Sequence, residues 1–134
     1  MKKQTIQRAV NLGQKIQHLF VATSDNRGLP HVAAASKITL VSDEKVAVSE
    51  WFCPGTLENL EQNRFVSLVI WDSASDKGYQ LMGKVEKMEE EAMMNGYAAE
   101  LDTKMLRPQV EWKLIVRVEK VIDFTQAPHS DIEE

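Results

Sequence analysis

Three features of the sequence predict a mostly β fold with some α, six antiparallel strands forming a small barrel with peripheral helices. Short apolar runs with two-residue alternation recur at even spacing along the chain. Turn clusters separate them, notably Ser24-Asp25-Asn26-Arg27-Gly28 and Ser42-Asp43-Glu44-Lys45. Helical periodicity is confined to the beginning and to two interruptions.

The elements follow in order. Ile6, Ala9, Val10, Gly13 and Ile16 form one stripe at helical spacing, giving an amphipathic first helix over residues 4–17. From Leu19 the pattern is strand, and the Asp-Asn-Arg-Gly turn, with glycine where positive φ is needed, makes a hairpin into a second strand from Pro30 to Val41. That strand sets Val32, Ala34, Ser36, Ile38 and Leu40 against His31, Ala33, Ala35, Lys37 and Thr39. A third strand runs from Val46 to Trp51, followed by Cys53-Pro54-Gly55-Thr56. Thr56 reads as the N-cap of a short helix with Leu57 and Leu60 on its buried side. Phe65 to Trp71 is apolar on both faces and therefore reads as a central strand.

A fifth strand, Tyr79 to Met88, carries Gly83 in its interior, the mark of a bulge or a close backbone approach. Residues 89–105 read as a helix, with Met93, Tyr97 and Leu101 at four-residue intervals and Glu89-Glu90-Glu91 at its start. The last strand alternates Trp112, Leu114, Val116 and Val118 with Lys113, Ile115, Arg117 and Glu119. Residues 1–125 form a single domain in this reading, and 126–134 a flexible acidic tail.

Composition excludes several function classes. The chain has 134 residues, 43% apolar and 27% charged, as in an ordinary globular domain. A net charge of −4 argues against a nucleic-acid partner. No apolar run approaches the roughly 20 residues of a membrane span, and the start lacks a signal peptide's pattern, so a cytoplasmic location is expected. Cys53 is the one cysteine, which excludes an internal disulfide. His18, His31 and His129 lack metal-ligand spacing, so no metal site is expected, and His31 beside Pro30 reads as a turn residue.

The turn at Cys53-Pro54-Gly55-Thr56 carries the chemistry. Free N–H groups at the start of a helix attract anions, phosphates among them, although most such helices bind only water. The order of Leu29-Pro30-His31, the strand to Val41, the strand to Trp51, Thr56-x-x-Asn59-Leu60-x-x-Asn63, Val66-Ser67-Leu68-Val69 and Gly78-Tyr79-x-Leu81-x-Gly83 resembles the pyridoxamine 5′-phosphate oxidase-related FMN-binding split barrels. The likeness is to the short form of that family and spans about Ile16 to Phe124.

The resemblance implies a split barrel, a homodimer with two FMN sites at the subunit interface, and an oxidoreductase or electron-transfer role. It places Ala33, Ala34, Ala35 and Ser36 beneath the isoalloxazine and Ser49, Glu50 and Trp51 along its border. Thr56 and Asn59 would contact the phosphate, and Gln80 and Trp112 of the other subunit would lie near the flavin edge. Relatives carry Lys or Arg in the phosphate turn, whereas no cation lies between Lys45 and Arg64 here, leaving Lys37 as the candidate partner. No side chain stands out as a general acid or base, and no basic cluster is present for a second phosphate. The competing expectation is a split-barrel dimer without tight FMN, serving as a ligand-binding or interaction module, or holding another planar cofactor such as a deazaflavin or haem.

Overall fold

The computed structural model describes residues 2–49, 53–93, 110–129 and 131, by backbone alone at 91–93, 110 and 111. Helix α1 spans Lys2–Ile16 and is followed by β1 (Leu19–Ser24), β2 (Pro30–Ala35), β3 (Lys37–Ser42) and β4 (Lys45–Ser49). Helix α2 (Pro54–Gln62), β5 (Phe65–Asp72), β6 (Lys77–Met93) and β7 (Val110–Asp123) complete the described elements. All ladders are antiparallel, in the order β2-β1-β5-β6-β7-β4-β3.

The order explains the shape. Strands β2 and β3 are the two edges of the sheet, yet only Ser36 separates them along the chain. The sheet must therefore curl until its edges meet, leaving a seam without a ladder: the split barrel. The single second strand expected from the sequence is thus two, which makes seven strands in place of six. At Ser36 the chain leaves β1, where Ala35 faces Leu19, and joins β4, where Lys37 faces Ser49. The inward phase slips by one residue at this corner. Ala33 and Ala35 point in on one side of it and Ile38 on the other.

Leu19, Val21, Ile38, Val46, Val48, Leu68, Ile70, Leu81, Leu114 and Val116 form the barrel core, each fully buried or nearly so. Helix α1 adds Ile6, Ala9 and Val10 to that core. It comes close because residue 13 is glycine, where a Cβ would stand 2.6 Å from Ile38 Cγ2. Gly28, at φ 88°, closes the β1–β2 hairpin, and Asp25 Oδ1 accepts the N–H groups of Arg27 and Leu29.

Two expectations are corrected. Glu89 to Met93 are strand, paired Glu89↔Lys113, Glu90↔Trp112 and Met93↔Val110, and not the start of a helix. The long β7 offers a ladder that outweighs the helix preference of this glutamate run, since tertiary context overrides propensity. The rest of the expected helix lies outside the described residues. Helix α2 starts earlier than Thr56, since Cys53 is its N-cap and Pro54 fills the first turn, where a preset φ and a missing N–H cost nothing.

Gln126 and Ala127 are tied to the barrel, because their N–H groups donate to the Asp76 carboxylate at 2.7 and 3.0 Å. These two and the Trp71 indole N–H, at 3.0 Å, hold that carboxyl below its ordinary value of 3.8, the Gln126 bond contributing most. No described helix is long and apolar enough to cross a membrane.

Candidate functional site

The seam and the start of α2 lie side by side. As edge strands, β2 and β3 each have one side without a ladder partner, so their N–H and C=O groups there remain available. On β2 the residues alternate. Ala33 and Ala35 are buried, whereas Val32 and Ala34 are exposed, and Ser36 and Lys37 continue the open surface. Small side chains at Ala34 and Ser36 leave the backbone open to a flat ligand. Lys37 stands opposite Ser49, whose strand leads toward the α2 turn. An open cleft of about 530 Å³ borders the corner, lined by Gln14, Gln17, Ser36, Lys37, Ile38 and Thr39.

Helix α2 is fastened over β1 and β2. Asn59 Nδ2 donates to Thr23 Oγ1 at 3.0 Å, and Asn63 Nδ2 to Ser24 Oγ at 3.0 Å. Leu60 is fully buried beneath the helix. The first turn is partly closed on itself, because the N–H groups of Thr56 and Leu57 both reach Cys53 O, at 3.1 and 3.4 Å. Thr56 is fully buried, and its hydroxyl has no hydrogen-bond partner among the described residues. A buried polar group without a partner is costly.

His31 is not a turn residue. It lies in β2, with Nε2 3.5 Å from Cys53 Sγ and the ring against Gly55. Separation in sequence hid this contact, as the two residues stand 22 positions apart. The start of α2 thus meets β2 at His31, with Asn59 on Thr23, the β1 residue facing His31, whereas Ala35, Ser36 and Lys37 lie at the other end of β2 and Lys37 faces Ser49. Glu50 and Trp51 lie outside the described residues.

Gln80 and Trp112 do not meet within one chain. Gln80 Nε2 donates to Ser67 Oγ at 2.7 Å, while Trp112 pairs with Glu90, ten residues further along β6. A second cleft, about 430 Å³, lies among Ser24, Asn63, Phe65, Ser67, Met82 and Lys120. The described residues contain no cluster of three metal-ligating side chains.

An incompletely closed antiparallel barrel with a helix start beside its seam defines the class of protein: a split barrel. The family model described as pyridoxamine 5′-phosphate oxidase matches residues 6–121, and the chain belongs to that family. An uncharacterised protein of Methanocaldococcus jannaschii is 29% identical over 114 residues, covering 82% of this chain and 74% of its own. Among solved structures, HupZ of group A Streptococcus superposes with a TM-score of 0.63 at 22% identity, covering 92% of this chain and 97% of the other. An FMN-binding protein of Syntrophomonas wolfei gives 0.63 at 13% identity, covering 96% and 91%. At these identities the structures establish the fold.

Proposed function

We propose that this protein binds FMN at the seam and acts in oxidoreduction or electron transfer, as a homodimer with its sites at the subunit interface. The observation that carries this reading is the contact of the open β2 edge with the start of α2, where His31 meets Cys53 and Gly55 and the buried Thr56 hydroxyl has no partner among the described residues. Family membership and the FMN-binding relative support the same ligand.

The chain's own groups divide the work. Ala34 and Ser36 give the ring room, and the free backbone edge of β2 offers donors and acceptors to its polar rim. The α2 turn and Thr56 would take the phosphate, with Lys37, opposite Ser49 in the β3–β4 ladder, the candidate cation. Asn59 and Asn63 hold the helix in place. Bound FMN would supply the one- or two-electron chemistry, the protein orienting it and controlling access.

The neutral turn sets the affinity. Charge-assisted hydrogen bonds are roughly twice as strong as neutral ones, so a phosphate held without Lys or Arg is held weakly. Dimerisation has a surface to use: Phe20, Val32 and Phe65 are 38%, 61% and 57% exposed.

Titration of the purified chain with FMN, followed by flavin fluorescence, tests the reading. Saturable quenching at one FMN per chain, weakened by Ala34→Glu, supports it. No quenching at high micromolar FMN overturns it and leaves a split barrel that serves as a ligand-binding or interaction module.

A further inference from the structure

We propose that the cavity between β1, β5 and the segment that follows β7 is a binding site for small, uncharged aromatic compounds of one or two rings. Alternation along β5 sends Leu68 and Ile70 into the core, so Val69 and Trp71 stand on the outer face, where Phe20 lies opposite Val69 in the β1–β5 ladder. Phe124, Thr125 and Gln126 complete the wall of a cavity of about 300 Å³. Ligand sites run from about 300 to 1,000 Å³, so this one limits its occupant to a small molecule.

Contacts outside the cavity hold its aromatic walls in place. The Trp71 indole N–H donates to Asp76 Oδ1 at 3.0 Å. Phe124 is set by its backbone N–H, which donates to Gly78 O at 3.0 Å, and its ring meets Trp71 edge to face with centroids 6.1 Å apart. His18 stands edge-on to Phe20 at 5.9 Å between centroids. The N–H groups of Gln126 and Ala127 donate to the same Asp76 carboxylate, which ties the third wall to the β5–β6 turn. A site formed in advance gives up little binding energy to ordering.

The same bonds decide the chemistry of the occupant. Trp71 directs its polar atom at Asp76, and the Thr125 hydroxyl is engaged by Ala127 O and His129 Nδ1 at 3.1 and 3.0 Å. Among the described residues, the buried side-chain atoms without a partner are His31 Nδ1 and Thr56 Oγ1, and neither residue lines this cavity. Its lining among those residues includes no charged side chain. A charged ligand would lose hydration with nothing to replace it, whereas a flat uncharged ring gains edge-to-face and stacking contacts with Phe20, Trp71 and Phe124. The site shares no residue with the α2 turn, Ala34 or Ser36, so it stands apart from the FMN reading. Phe20 belongs to the face proposed for dimerisation, and a second copy seated there would fill the cavity.

The test uses the full chain, isotope-labelled at its tryptophan nitrogens, with β-naphthol as the probe and nuclear magnetic resonance as the readout. Loss of a signal in Trp71→Phe identifies the Trp71 indole N–H. That signal is expected to shift saturably with a Kd on the order of 100 µM, and the charged analogue β-naphthoate to bind at least about tenfold more weakly. Val69→Phe fills the cavity from an outward strand position and is expected to abolish the shift, with circular dichroism reporting the fold. Should that variant unfold, Phe20→Ala removes a wall and is expected to weaken binding about tenfold. The absence of a saturable shift up to about 1 mM β-naphthol overturns the proposal, a cavity filled by a second copy included. Equal affinity for the two probes overturns it as well, as does a folded Val69→Phe or Phe20→Ala protein that binds as the parent does.

Discussion

Gly83→Ala is the sharpest test of the barrel's geometry. Gly83 sits in the middle of β6, opposite Val66 on one side and Val118 on the other, so the strand is held from both flanks. A Cβ there would lie 1.9 Å from Arg117 O and 2.9 Å from its carbonyl carbon. Cβ contacts below 3.0 Å are essentially never seen, so strand β7 would have to retreat by 3.0 − 1.9 = 1.1 Å. The obstacle is backbone in a ladder and cannot rotate aside. Overpacking of this kind costs typically 1–3 kcal/mol, and disturbance of the adjoining ladder places the expected loss at about 3 kcal/mol. At about 4 °C per kcal/mol for a chain of this length, the melting temperature should fall by about 12 °C. Thermal unfolding followed by circular dichroism measures it. A shift under about 3 °C would refute the argument that β7 packs against a glycine-only position.

Other outcomes follow from the same structure. Leu60→Ala empties a fully buried position beneath α2 and should cost about 3 kcal/mol by chemical denaturation. Asn59→Ala removes the bond to Thr23 and should cost about 1 kcal/mol, weakening the attachment of α2. Asp76 has a folded-state pKa below its ordinary 3.8, so its contribution is present above that value and lost as pH falls through the folded pKa. Asp76→Asn should therefore lower the melting temperature at neutral pH, and the difference from the parent should vanish in acid. His129 is raised above 6.5, chiefly by the Ala127 carbonyl and then by Asp131. Its contribution is complete below 6.5 and lost as pH rises through the folded pKa, so His129→Leu should matter less at alkaline pH.

Much of the fold was legible because its signals are local. Alternation marked the strand from Pro30 to Val41 and β7, an apolar run on both faces marked β5, the Asp-Asn-Arg-Gly turn marked the hairpin, and Gly83 marked the close approach and bulge in β6. What depends on distant pairing was not legible. Ser36 looks like any strand residue until β2 and β3 are seen to use different neighbours. Glu89 to Met93 carry helix-favouring residues that only the β7 ladder overrides. The candidate site shows the same division. The turn at Pro54-Gly55-Thr56 was visible, although Pro54 moved the cap to Cys53. The imidazole beside that cap came from another strand and left no mark in the local pattern.

The most direct test of the central claim is a parallel calorimetric titration with FMN and with riboflavin, which lacks the phosphate. A ring held at the seam and a phosphate held by an uncharged turn predict that both bind, with FMN about tenfold tighter and little affected by salt. Equal affinity for the two would contradict a phosphate role for the α2 turn, and the absence of heat with either would contradict the flavin site itself.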